Sequence, residues 1–124
     1  MAAPRLGRTQ LRIMQLLWHK RRATAREITD ALSADGRIAH STVQTLLRKL
    51  EDKGAVGHEV EERTFVFYPC VSEQVVTRST VRDVVSRLFG GSASGLVAYL
   101  VKHERLSRDE LRAIRRLLDL EGKQ

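Results

Sequence analysis

The sequence predicts a mainly α chain with a small β-wing: a winged helix-turn-helix domain over residues 1–71, followed by a three-helix region over 72–124. Three observations lead there. The stretch from His40 to Leu50 sets Val43, Leu46, Leu47 and Leu50 on one side of a helix and Ser41, Thr45, Arg48 and Lys49 on the other. Two β-prone runs follow it directly, and after Ser72 helical periodicity returns without hairpin signals.

The elements follow in order. Between Thr9 and His19, apolar residues recur at Leu11, Ile13, Met14, Leu17 and Trp18, which is the spacing of a core helix, with Leu6 placed to pack ahead of it. Trp18 is large enough to anchor a small domain. A basic turn, Lys20-Arg21-Arg22, leads into Thr24-Ala25-Arg26-Glu27, a capping box in which the Thr and Glu side chains each satisfy a free amide at a helix start. The second helix then buries Ile28, Ala31 and Leu32 and ends near Asp35-Gly36, a turn signal. The third helix runs to about Lys53, where Gly54 is placed to cap it.

Val56–Val60 and Thr64–Tyr68 flank Glu61-Glu62-Arg63 and read as a hairpin closed by Pro69, the wing of a winged helix. Beyond it, Val75, Val81, Val84, Val85, Leu88 and Phe89 form a stripe up to Gly90-Gly91. Leu96 to Val101, Leu100 included, forms a short apolar helix, and Ser107-x-x-Glu110 caps a last one bearing Leu111, Ile114, Leu117 and Leu118. So small a unit cannot enclose that much apolar surface, and pairing with a second copy about a twofold axis is the economical solution.

Composition narrows the function. The 124 residues carry a formal charge of +7 with 42% hydrophobic and 30% charged residues, a soluble profile that favours an acidic partner. Residues 1–70 hold 12 Lys/Arg and 8 Asp/Glu, and residues 71–124 hold 10 and 7, so charge alone does not locate the binding face. The stretch Gly36 to Leu50 contains no acidic residue, and its outer face can approach a polyanion without repulsion of its own making. It reads as a DNA recognition helix.

Cys70 is the single cysteine, which excludes an intramolecular disulfide and a Cys-rich metal site and fits a cytoplasmic location. No apolar run approaches the ~18 residues that span a bilayer, and Met1 to Gly7 is too short and polar for a signal peptide. No membrane binding and no cofactor are expected. His19, His40, His58 and His103 are scattered, with no His-Glu-x-x-His, phosphate loop or nucleophile motif, so the chain does not read as an enzyme. Exposed wing polarity accounts for His58, Glu59 and Glu61 better than a metal site does, and Cys70 beside Pro69 reads as a small packed hydrophobe rather than a redox sensor.

These motifs resemble the penicillinase and methicillin-resistance repressors and their copper-responsive relatives. The resemblance runs from Leu6 to about Leu118 and is carried by Ile13-Met14-x-x-Leu17-Trp18, Thr24-Ala25-x-Glu27-Ile28, Ser41-Thr42-Val43-x-Thr45-Leu46-Leu47-x-x-Leu50, Phe67-Tyr68-x-x-Val71-Ser72 and Leu88-Phe89-Gly90-Gly91. It implies an antibiotic-resistance type of regulator: a homodimeric repressor on a palindromic operator in double-stranded DNA, dimerised through the C-terminal helices. Relatives are commonly relieved by a membrane-bound sensor protease, with cleavage in those helices. The aligned positions here are Tyr99-Leu100, where well-studied members carry Asn-Phe. The copper branch's C-terminal cysteine cluster is absent.

In the pose the resemblance implies, the first half of the third helix enters the major groove. Ser41, Thr42, Gln44 and Thr45 are then the base and phosphate candidates. Gln44 can bond bidentately to adenine, although Ser41-x-x-Gln44 also has the form of a helix cap. Arg48 and Lys49 suit phosphates, as does Arg63 at the wing tip, where Glu61 and Glu62 argue against deep insertion. Thr24 and Arg26 can reach the backbone, with Thr24 mainly a cap. The competing reading is a winged-helix adaptor that binds an acidic protein.

Overall fold

The computed structural model describes residues 3–122, so the outer ends of the two expected domains, residues 1–2 and 123–124, lie outside the described residues. The element order is α1 (Arg8–Lys20), β1 (Ala23–Thr24), α2 (Ala25–Leu32), α3 (His40–Asp52), β2 (Val56–Glu61), β3 (Thr64–Pro69), α4 (Glu73–Phe89), α5 (Ala93–His103) and α6 (Arg108–Glu121). Two compact units divide it, the first ending at Val81 and the second starting at Arg82. The boundary therefore falls inside α4, ten residues past the expected one.

Local chemistry starts and stops the helices of the first unit. The Thr24 hydroxyl accepts from the Glu27 amide at 3.1 Å and the Glu27 carboxylate accepts from the Thr24 amide at 2.9 Å, so the capping box forms as its motif requires. α3 ends with Gly54 at φ 79, the left-handed conformation that glycine adopts freely. There the Ala55 amide donates to the Leu50 carbonyl at 2.9 Å and the Gly54 amide to Glu51 at 3.0 Å, closing a Schellman motif.

These helices meet over one core. Ile13, Met14 and Leu17 of α1, Ile28 of α2, and Val43, Leu47 and Leu50 of α3 are fully buried, with Val56 and Phe67 joining from the sheet. Each such side chain contributes ~1.5–3 kcal/mol relative to exposure. Half-buried Trp18 packs against the cluster and its indole N–H donates to the Val71 carbonyl at 2.8 Å, fastening α1 to the chain as it leaves the wing.

β2 and β3 form the expected hairpin, in the register Val56 with Pro69 through Glu61 with Thr64. The sequence predicts no strand before α2, yet Ala23 and Thr24 pair with Phe67 and Val66, making a three-stranded antiparallel sheet in the order β1-β3-β2. Gly57 faces Tyr68 across the ladder, and a Cβ there would lie 2.7 Å from the phenol oxygen, so the ring occupies the space a side chain would need.

In the second unit, the Ser107 and Glu110 capping box forms, with bonds of 3.0 and 3.1 Å. Phe89 and Tyr99 meet edge to face at 6.0 Å. No residue of α5 or α6 is buried, and Val76, the buried residue of α4, belongs to the first unit. Among the described residues, no single helix is long and apolar enough to cross a membrane.

Candidate nucleic-acid interface

α3 carries two chemistries at helical spacing. Val43, Leu47 and Leu50 hold it on the core, while Ser41, Thr42, Gln44, Thr45, Arg48 and Lys49 are all exposed. The helix begins at His40 with Ala39 as its N-cap, two residues before the Ser41-x-x-Gln44 pattern would start it, and no side chain caps it. Ser41 is already helical, so the capping role that the pattern allowed for Gln44 is not realised. The Gln44 amide has no hydrogen-bond partner among the described residues. The Thr45 hydroxyl donates to the Ser41 carbonyl at 3.0 Å, which leaves its oxygen an acceptor.

Beside α3 lies an open cleft of about 580 Å³ between that helix, the start of α2 and the wing. It collects five of the expected residues, Thr24, Arg26, Gln44, Arg48 and Arg63. Ser41, Thr42, Thr45 and Lys49 lie outside it, on the remaining exposed surface of α3. Thr24 keeps its hydroxyl on the Glu27 amide, the capping role expected of it.

Electrostatics separate the cations into two groups. Arg26, Arg48, Lys49 and Arg63 make no ion pair among the described residues. Arg22, by contrast, lies 2.8 Å from Glu61 and 3.7 Å from Glu59, so the wing carboxylates are matched by a nearby guanidinium. That pairing answers the objection for Glu61 and not for Glu62, which makes no ion pair among the described residues, and exposed pairs of this kind contribute little stability. Glu51, the carboxylate that lines the cleft, bonds to His58 Nδ1 at 2.6 Å, and the His58 ring stacks on Phe65 at 4.0 Å.

Several of these residues were missed in the sequence. His40, Glu51, His58, Phe65 and Phe67 line the cleft, and His40, Gln44 and Arg48 follow one another at i, i+4 and i+8, a spacing that could have flagged His40. Among the described residues no three His, Cys, Asp or Glu side chains converge as a metal site. Cys70, expected to be packed, is exposed: just past β3 its amide donates to the Ala55 carbonyl at 2.8 Å, and its side chain is left on the surface.

A family model described as the penicillinase repressor matches residues 6–120. The chain belongs to the penicillinase repressor family. Members of this family are transcriptional repressors, not enzymes, and this chain is 25% identical over 116 residues to the penicillinase repressor of Bacillus licheniformis, covering 94% of this chain and 91% of that one. It is 26% identical over 107 residues to the methicillin resistance regulatory protein MecI of Mammaliicoccus sciuri, covering 86% and 87%. Among solved structures it is similar to the monomeric form of B. licheniformis BlaI in complex with the blaP half-operator, at TM-score 0.51 and 30% identity, over 58% of this chain and 88% of that one.

The dimerisation candidates of this family member fall on α4 to α6. Val84, Val85, Phe89 and Ile114 are half-buried, and Val81, Leu88, Leu100, Leu111, Leu117 and Leu118 are exposed.

Proposed function

We propose that this repressor-family chain binds double-stranded operator DNA sequence-specifically as a homodimer on a palindrome, with α3 in the major groove. One observation carries the reading: Arg26, Arg48 and Arg63 share a cleft with the exposed Gln44 and, like Lys49 outside it, make no ion pair among the described residues, while the nearby carboxylates Glu51, Glu59 and Glu61 are engaged by His58 and Arg22. Gln44 reads a base edge, Ser41, Thr42 and Thr45 offer hydroxyls beside it, and the cations, with Thr24 at the start of α2, hold phosphates. The operator complex of the BlaI relative supports this pose.

Two copies are needed because α5 and α6 bury no residue within one chain, and Leu117 and Leu118 are 61% and 63% exposed. Burying that surface against a second copy presents α3 twice. Such a repressor acts in the cytoplasm, where its operator lies. Relief by proteolysis within the C-terminal helices is the further step that the family resemblance implies, and at the aligned bond this chain departs from the Asn-Phe of well-studied members by carrying Tyr99-Leu100. That bond lies inside α5, so a protease has to meet the helix opened locally.

Selection from random duplexes with the full chain tests the reading. Enrichment of an inverted repeat, bound with a log–log salt slope of about −7 for roughly eight phosphates neutralised by four cations from each copy, is expected. Salt-insensitive binding or no enrichment would instead favour the protein adaptor.

A further inference from the structure

Thr29 is buried, at 5% exposure, and its hydroxyl has two neighbours. The oxygen lies 2.8 Å from the Ala25 carbonyl and 3.0 Å from Nδ1 of His40 at the first position of α3. A carbonyl only accepts, and a hydroxyl has one hydrogen to give. Thr29 therefore donates to Ala25 and accepts from His40, which requires a hydrogen on Nδ1. The ring is held in that form by a partner on another helix.

The consequence falls on the other nitrogen. Nε2 has no partner among the described residues, and the ring lines the cleft beside Gln44 and Arg48. With Nδ1 protonated, Nε2 is a bare acceptor when the imidazole is neutral and a charged donor when it is not. A DNA backbone offers phosphate oxygens, which only accept, so the neutral ring meets it lone pair to lone pair and the imidazolium meets it with a charge-assisted hydrogen bond.

We propose that His40 is a positioning contact for the DNA backbone that acts in its protonated form, donating from Nε2 to a phosphate, so that operator binding takes up a proton at each copy of α3. This rests on the duplex-binding reading above. The charged and titratable groups sharing the cleft are Arg26 from α2, Arg48 and Glu51 on α3, His58 from β2 and Arg63 from the wing turn. Glu51 is taken by His58, so it does not supply the negative charge that an imidazolium at His40 needs. An arriving phosphate supplies it, and with it the coupling between protonation and binding.

The test is operator affinity of the full chain from pH 8 to pH 6 at fixed salt, for the wild type, His40→Gln and His58→Asn. The wild type tightens by about tenfold or more as two sites are protonated, because imidazole exchanges its charge in this window. His40→Gln loses that gain, and His58→Asn keeps it whatever its absolute affinity. In parallel, NMR titration of the wild-type His40 ring gives a higher pKa in the operator complex than in the free protein, and a hydrogen on Nδ1 in the neutral free ring. A pH-independent wild type, a His40→Gln variant that keeps the gain, or an unchanged ring pKa overturns the proposal while leaving duplex binding intact. Tighter binding at high pH also overturns it, and assigns Nε2 instead as an acceptor from a base amino group. No duplex binding at any pH overturns both this proposal and the function it rests on.

Discussion

His58 on β2 and Glu51 on α3 are joined by a 2.6 Å hydrogen bond, which ties the wing to the helix that carries Gln44 and Arg48. The same imidazole stacks on Phe65 of β3, so one side chain bridges both wing strands and α3. Replacing it by alanine removes these ties, and its contact with the core ring Phe67, while the sheet pairing of the wing remains. His58→Ala is expected to lower the unfolding free energy by about 1 kcal/mol. Operator affinity falls several-fold while the salt slope is unchanged, as denaturant melts and gel shifts will read.

The wing turn sets conformation against charge. Glu62 and Arg63 have φ of 49° and 66°, the paired left-handed geometry of a tight hairpin turn that Asn-Gly adopts most easily. Each non-glycine residue held there costs about 1 kcal/mol. Arg63→Gly is therefore expected to raise stability by about that much and still to weaken DNA binding, with the salt slope shallower by ~0.9 per protomer. A stabilised variant with an unchanged slope would remove Arg63 from the phosphate contacts.

Leu117 and Leu118, on the last turns of α6, give the cleanest handle on assembly because neither is buried in the single chain. Leu117→Glu is expected to convert a dimer to a monomer in sedimentation equilibrium without changing the thermal transition of the winged-helix unit. Its affinity for a palindrome then falls toward that for a half-site, since the second recognition event is no longer tethered to the first.

Glu27 links the start of α2 to pH. Hydrogen bonds from the Thr24 backbone amide first, and from the Thr24 side chain second, hold its carboxyl below the usual carboxylate range. With the folded-state pKa below the unfolded one, its contribution is present above the unfolded pKa and is lost as pH falls through the folded value. Glu27→Gln should accordingly be less stable than the wild type near neutral pH and equal to it in strong acid. A stability difference that persists unchanged at low pH would assign the loss to packing rather than to the charged cap.

What the sequence revealed was largely local. Thr24 with Glu27, Ser107 with Glu110 and Gly54 announce helix ends because partners three or so residues apart decide them. β1 escaped because two residues acquire strand character by pairing with Phe67 and Val66, more than forty positions away. The Gln44 ambiguity was of the same kind: Ser41-x-x-Gln44 has the letters of a cap, and only the start of α3 at His40 shows that the cap is not made. Arg26, Gln44, Arg48 and Arg63 were legible as polar residues in helix and turn patterns, but their gathering around one cleft needs the fold. His40 needs it most, since its partner Thr29 lies on another helix and its chemistry follows from which atom gives the hydrogen.

Base reading by Gln44 on α3, as proposed above, is tested by substituting its hydrogen-bonding pattern. Duplex selection is run with the wild type and with Gln44→Arg under one salt condition. Preference is expected to change from adenine to guanine at one symmetry-related pair of positions and nowhere else, because a guanidinium matches the O6 and N7 acceptors of guanine. An unchanged selected motif, or a uniform loss of affinity on every sequence, would contradict it.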